Sequence, residues 1–209
     1  MHNILLNGIL TYNVNLFYTI NEGMKNSVFN FIMPLLTNFG SLIAWILVCV
    51  LIFIFGGQYS KKVAIIGLLA LFLSSAVVLV LKYIVAEPRP FAVLNNVHLL
   101  AMESDYSFPS GHAASSFAAA VALGKKYKVI IMDRSYKLIY PLLVFAGIIG
   151  LSRVYIGVHY PLDVIFGALI GTASGLAVIK FESKILDSIR LGKIIKINIT
   201  EKLKNIIKS

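Results

Sequence analysis

Apolar residues in this chain come in long uncharged blocks rather than in alternating strands or single helical stripes. Five blocks stand out, over residues 40–56, 63–85, 109–124, 138–156 and 161–179. A helix crossing a bilayer needs about 20 consecutive, mostly apolar residues, and each block approaches or reaches that length with almost no charge. The pattern predicts an all-α fold, a polytopic membrane bundle of about five transmembrane helices. The third block is short as a purely apolar run, so its start is expected in the membrane interface. Small residues such as Gly67, Ser74, Ala113, Ala114, Gly150, Gly167, Gly171 and Gly175 recur inside the blocks, and they let helices approach closely in lipid.

The flanks follow another pattern. Residues 1–38 mix apolar positions with Asn, Thr, Glu22 and Lys25, and Phe17, Ile20, Met24 and Val28 recur at helical spacing. One or two interfacial amphipathic helices are expected there, with a sixth crossing as the alternative. Residues 181–209 form a basic tail in which Lys184, Arg190, Lys193, Lys196, Lys202, Lys204 and Lys208 are interleaved with Ile and Leu. A helix lying on an anionic cytoplasmic leaflet is the expectation, with membrane lipids as its partners. No nucleic-acid partner is expected, since no aromatic residues are interleaved to stack on bases. The chain reads as a single membrane-embedded domain with its core over 40–180.

Composition narrows the class. Of 209 residues 58% are hydrophobic and 13% charged, against about 25% charged in an ordinary soluble domain. That is too little charge to cover a water-facing surface, which excludes disorder and argues against a soluble enzyme. The single cysteine, Cys49, lies inside the first block and reads as a buried thiol. Residues 1–20 show neither a basic n-region nor a small-residue cleavage site, so a cleaved signal peptide is not expected.

The excess of 19 Lys+Arg over 9 Asp+Glu reports orientation first, because basic loops stay on the cytoplasmic side. Lys61 and Lys62 fall between the first two blocks, and Lys125, Lys126, Lys128, Arg134 and Lys137 between the third and fourth. By parity these loops share a side with the tail. Loops 86–108 and 157–160 then meet on the opposite, outward face.

That outward face concentrates costly polar residues. Lys82 ends the second block, Arg89 follows in the loop, and Ser110, Gly111 and His112 open the third. Ser152 and Arg153 end the fourth, and His159 and Asp163 flank the start of the fifth. Ionisable groups at membrane depth mark function by default. Three cations and two histidines on one rim suit an anion that undergoes chemistry, and phosphate fits. Arginine forks match its oxygens, and a helix starting at Pro109 would turn the N–H groups of Ser110 and Gly111 outward. Asp163, in the first turn of a helix begun by Pro161, can hold one imidazole nitrogen of His159 protonated and leave the other free to attack. Glu103 and Asp105, in the same outward loop, read as a solvated face or as acids tuning access to the cations. Aromatic residues such as Tyr83, Tyr106 and Tyr160 read as interfacial anchors.

Lys82-x6-Arg89-Pro90, then Pro109-Ser110-Gly111-His112, then Ser152-Arg153-x5-His159-x3-Asp163 resemble the three-part signature of the type-2 phosphatidic acid phosphatase superfamily, in its bacterial membrane-bound branch. The resemblance covers roughly residues 37–180. It implies a metal-independent phosphatase with no cofactor, working through a phosphohistidine on a phosphorylated lipid. His159 would be the nucleophile, Asp163 its orienting partner and His112 the general acid. Lys82, Arg89, Arg153, Ser110 and Gly111 would bind the phosphoryl oxygens, with Ser152 behind them. The lipid it implies first is undecaprenyl diphosphate, then phosphatidylglycerophosphate, a lipid A 1-phosphate or phosphatidate. A phospholipid transporter is the competing class, but an inverted repeat is not visible. A non-enzymatic anchor would leave the outward residues unexplained.

Overall fold

The computed structural model describes residues 2–131 and 134–188. Its helices start where the local chemistry stops extended chain from continuing. Helix α1 (His2–Asn21) runs to a turn, and α2 (Ser27–Asn38) begins at Asn26, whose side chain accepts from the Phe29 N–H. Ser41 caps α3 (Leu42–Phe55) by accepting from the Ala44 N–H, and α2 and α3 meet at a bend of 55°. Such caps satisfy donors that have no intrahelical partner. Helix α4 (Gln58–Val85) is followed by the short α5 (Pro90–Val93), then α6 (Gly111–Gly124), a hairpin of β1 (Lys128–Ile131) and β2 (Arg134–Lys137), α7 (Ile139–Tyr155) and α8 (Pro161–Lys180). Residues 182–188 are again helical.

Helix α6 lies at the centre. Ala113, Ala114, Ala118, Ala119, Ala120 and Ala122 are all buried. Helix α8 meets it along a ridge of glycines: a Cβ on Gly167 would sit 2.5 Å from the carbonyl oxygen of Ser110, and one on Gly171 2.2 Å from that of Ala114. Bare backbone lets the two helices pack tightly where lipid offers no hydrophobic drive to association. Trp45 and Cys49 of α3, Ile66 and Leu71 of α4, Leu123 of α6 and Val178 of α8 complete the core. Trp45 also donates its ring N–H to Ser116 Oγ at 3.2 Å. Phe31, Ile43, Phe55, Phe72, Ile84 and Val144 are exposed, as side chains facing lipid would be.

The all-α membrane bundle stands as expected. Among the described residues, α4 and α8 are each long and apolar enough to cross a membrane, α2 and α3 qualify only as a bent pair, and α7 is a shorter apolar helix.

Several boundaries differ from the sequence reading. Helix α4 starts at Gln58, so Lys61 and Lys62 lie in its first turns instead of a loop; long basic stems can lie along a helix while their charges reach water. The basic segment between the third and fourth blocks closes as a β-hairpin, Lys128 pairing with Lys137. The N-terminal helices are tied into the bundle. Asn21 is buried and donates to the carbonyls of His98 and Tyr155, and Phe17 packs with Val154 and Tyr160. Of the tail, Arg190 through Lys208 lie outside the described residues.

Candidate active site

Five helix ends and one loop build the site. Helix α4 stops at Ala86, which takes the left-handed conformation (φ 50°) and turns the chain. Lys82 thereby sits in the last turn of α4, and Arg89 caps α5 ahead of Pro90. The loop that follows folds back over this turn: Ser107 N–H donates to the Glu87 carbonyl at 2.8 Å, and Leu100 N–H to that of Ile156 at 3.1 Å. Helix α7 ends with Ser152 and Arg153. At the start of α8, Pro161 takes a first-turn position where a missing N–H costs nothing.

Asp163 closes that first turn, its Oδ2 accepting from the Tyr160 N–H at 2.8 Å. The same oxygen accepts from Ser107 Oγ at 2.6 Å and lies 3.2 Å from Nδ1 of His159. On the far side of the ring, Nε2 of His159 is 3.3 Å from Nη1 of Arg89. A guanidinium only donates. The network therefore assigns the proton to Nδ1 and leaves Nε2 with its lone pair. Burial, then the charges of Arg153, Arg89 and Lys82, hold His159 well below the ordinary imidazole value.

The cations converge with it. Arg89 is buried and uses its whole fork: Nε donates to the Asp105 carbonyl at 2.8 Å, Nη1 to the Val158 carbonyl at 2.8 Å, and Nη2 to the carboxylates of Glu103 and Asp105. Arg153 is also buried, pairing with the other oxygen of Glu103 and donating to Thr37 Oγ1 at 2.9 Å. Lys82 reaches the Tyr106 carbonyl and lies 3.1 Å from Asp105 Oδ2. Glu103 and Asp105 are thus ion-paired with all three cations. Glu103 is largely shielded from solvent, whereas Asp105 keeps 55% of its side chain exposed while it pairs with Arg89 and Lys82. Burial alone would raise Glu103, but Arg153 and Arg89 more than offset it and hold the carboxyl below its usual range. Asp105 is likewise lowered, its burial outweighed by hydrogen bonds from Arg89 and Lys82. Glu87 goes the other way: burial, then the neighbouring Asp163 carboxyl, push it up to about 7. Two of these acids thus turn to the cations and one to Asp163.

His112 lies in the first turn of α6 and lines a cavity of about 250 Å³. Leu42, Val78 and Leu79 form its apolar wall, and Lys82, Gly111 and His112 its polar end. Asp105 borders the cavity too and pairs with the same Arg89 that touches His159. Both histidines therefore belong to one end of the bundle.

Two expected ligands are placed differently. Ser110 is the N-cap of α6, not a residue within it, and its N–H donates to the Asp163 carbonyl at 3.0 Å. Its N–H is therefore spent on joining α6 to α8, and the free first-turn donors belong to Gly111 and His112. Ser152 is buried and donates back to the Ile149 carbonyl at 2.7 Å within its own helix, so its proton is turned away from the cations. Ser107 and Thr37 were not legible as site residues. Neither lies within the three motifs, and their contacts span 56 and 116 positions.

Buried cations, an oriented neutral imidazole and a half-open apolar cavity at one end of a membrane bundle define a membrane-embedded site for an anionic lipid headgroup. Comparison with known proteins supplies the family. Residues 63–187 match the PAP2 superfamily. Undecaprenyl-diphosphatase of Sulfolobus acidocaldarius is 34% identical over 174 residues, 82% of this chain and 79% of that protein. Undecaprenyl-diphosphatase BcrC of Bacillus subtilis is 32% identical over 75% of this chain and 76% of that protein. The crystal structure of Aquifex aeolicus LpxE superposes with a TM-score of 0.69 at 31% identity, covering 81% of this chain and 95% of LpxE. The chain belongs to the PAP2 superfamily and is a phosphatase of its bacterial membrane-bound branch.

Proposed function

We propose that this phosphatase hydrolyses undecaprenyl diphosphate through a phosphohistidine on His159, at the outward face of the membrane. The observation that carries the chemistry is the setting of His159: Asp163 Oδ2 lies 3.2 Å from Nδ1, and the guanidinium of Arg89, which can only donate, lies 3.3 Å from Nε2. The names of the relatives that align over most of the chain support the lipid.

In the first step the Nε2 lone pair of His159 attacks the terminal phosphorus. The N–P bond forms as the P–O bond to the lipid monophosphate breaks, and His112 gives its proton to the departing oxygen. In the second step His112 takes a proton from water, whose oxygen attacks phosphorus. The N–P bond breaks, its electrons return to Nε2, and inorganic phosphate leaves. Asp163 holds the Nδ1 proton throughout. Arg89, Arg153, Lys82 and the N–H groups of Gly111 and His112 neutralise charge on the equatorial oxygens, the main demand of phosphoryl transfer. Because Glu103 and Asp105 hold the cations in the resting state, the incoming phosphoryl group must displace carboxylates. The apolar wall of the cavity at His112 suits the start of the isoprenoid chain.

Residues 40–180 form the catalytic core with five crossings, contributed by α3, α4, α6, α7 and α8, and the basic tail lies on the cytoplasmic side. The test is phosphate release by purified protein from undecaprenyl diphosphate, undecaprenyl phosphate, phosphatidylglycerophosphate and phosphatidate. The expected result is the highest kcat/KM on the diphosphate. Equal rates on all four would overturn the substrate assignment.

A further inference from the structure

Asp163 uses its two oxygens unevenly. Oδ2 receives Ser107 and the Tyr160 N–H and faces His159. Oδ1 is buried, and no N–H or hydroxyl of the described residues reaches it. A bare carboxylate oxygen in that position is costly unless something donates to it.

The carboxyl within hydrogen-bonding reach of Asp163 is that of Glu87, half-buried just past the left-handed turn at Ala86. Its backbone is pinned there, since its carbonyl accepts from Ser107, the residue whose hydroxyl grips Oδ2. Ionising both of two neighbouring carboxyls is disfavoured, so near neutral pH the pair holds one proton. The donors on Oδ2 stabilise the charge on Asp163, so the shared proton belongs to Glu87, and a protonated carboxyl is a donor.

We propose that Glu87 is a positioning residue: as a neutral acid it donates to Oδ1 of Asp163 and, together with Ser107, fixes the carboxylate that orients His159. This rests on the reading of His159 as nucleophile. Asp163 and Tyr160 face Glu87 from the start of α8. Tyr160 is itself held up at about 12 by burial and by the charges of Glu87, Asp163 and Tyr18, so it stays neutral. On the side of α4 and α5, Lys82 and Arg89 are engaged by Asp105 and Glu103. The raised value of Glu87, about 7, leaves it protonated in mildly acidic medium. Above that value its proton is lost, Oδ1 loses its donor, and two like charges face one another.

The experiment is kcat against pH for phosphate release from undecaprenyl diphosphate, with wild type, Glu87→Gln, Glu87→Ala and His159→Ala. Removing the donor in Glu87→Ala is expected to lower kcat about tenfold at pH 6, the equivalent of one hydrogen bond. Glutamine donates without titrating, so Glu87→Gln is expected to recover most of that loss and to move the alkaline limb to higher pH. An alkaline limb unmoved in Glu87→Gln, or wild-type kcat in Glu87→Ala, would overturn the role of Glu87. If His159→Ala is inactive while Glu87→Gln keeps the wild-type profile, only the role of Glu87 falls. If His159→Ala turns over normally, the nucleophile assignment falls and this role with it. Elution of Glu87→Ala as a folded species on size exclusion separates lost positioning from lost folding, and Glu87→Gln carries the test if that variant does not fold.

Discussion

Arg89 and His159 touch, guanidinium Nη1 to imidazole Nε2 at 3.3 Å. The contact does two things. It marks Nε2 as an acceptor, and it places a fixed positive charge where protonation of the ring would be resisted. Burial, with Arg153 and Arg89 next, keeps His159 well below the ordinary imidazole value, so the ring is neutral through mildly acidic pH.

Replacing Arg89 by Gln should therefore change the pH profile as well as the rate. With one positive neighbour gone, the His159 value rises and the acid limb of kcat/KM moves to higher pH. A lost phosphate ligand should also lower kcat/KM by about 10²-fold or more. A pH–rate series on wild type and Arg89→Gln checks both, and an acid limb that stays in place would speak against His159 as the titrating group.

Glu103 bridges Arg89 and Arg153. Its lowered carboxyl value means that the bridge stabilises the fold above the ordinary carboxylate range, and that this contribution is lost as pH falls through the lowered value. Glu103→Gln should cost about 1–3 kcal/mol of stability near neutral pH, because Arg153 keeps only Thr37. It should also tighten inhibition by inorganic phosphate and vanadate, which no longer compete with a carboxylate. Melting curves at two pH values and inhibition constants for both anions measure the two effects.

The glycine ridge of α8 predicts a sharp positional contrast. Gly171→Ala pushes a methyl group to 2.2 Å from the Ala114 carbonyl oxygen, whereas nothing lies within 4 Å of a Cβ at Gly147. The first should destabilise by about 1–3 kcal/mol and the second by less than about 0.5 kcal/mol. Gly167→Ala strikes the Ser110 carbonyl oxygen at 2.5 Å, next to the cap that joins α6 to α8, and should lower kcat as well. Thermal melts in detergent and specific activities report these differences.

His112→Ala should slow hydrolysis by about 10²–10⁴-fold on a poor leaving group. On an aryl phosphate with an acidic phenol the loss should be much smaller, because that group departs without a proton. Parallel assays on phosphatidate, which must expel an alcohol, and on p-nitrophenyl phosphate give the comparison, and undecaprenyl diphosphate, which expels a phosphate monoester, should behave like the aryl substrate.

Much of the site was legible because its chemistry sits at helix ends in fixed spacings. Three positions separate His159 from Asp163 within one helix start, so Pro161 and the carboxylate alone predict their contact. Lys82 and Arg89 are joined by a single turn at Ala86. What stayed illegible depends on how distant segments fold over one another. Ser107 reaches Asp163 only because its loop turns back onto Glu87, and Thr37 meets Arg153 only because α2 packs on α7. The start of α4 was misplaced because Lys61 and Lys62 break an apolar run without breaking a helix. Ser110 was read one step too far into α6, since Pro109 signals a helix start but the serine side chain, accepting from Ala113, makes it the cap.

The most direct measurement is capture of the phosphoenzyme. Protein is mixed with undecaprenyl diphosphate labelled with ³²P at its terminal phosphate, quenched in alkali, where phosphohistidine survives, and the labelled peptide is mapped. Label is expected on His159, with more of it in His112→Ala because phosphohistidine breakdown loses its base, and none in His159→Ala. Label on another residue, or an active enzyme lacking His159, would contradict it.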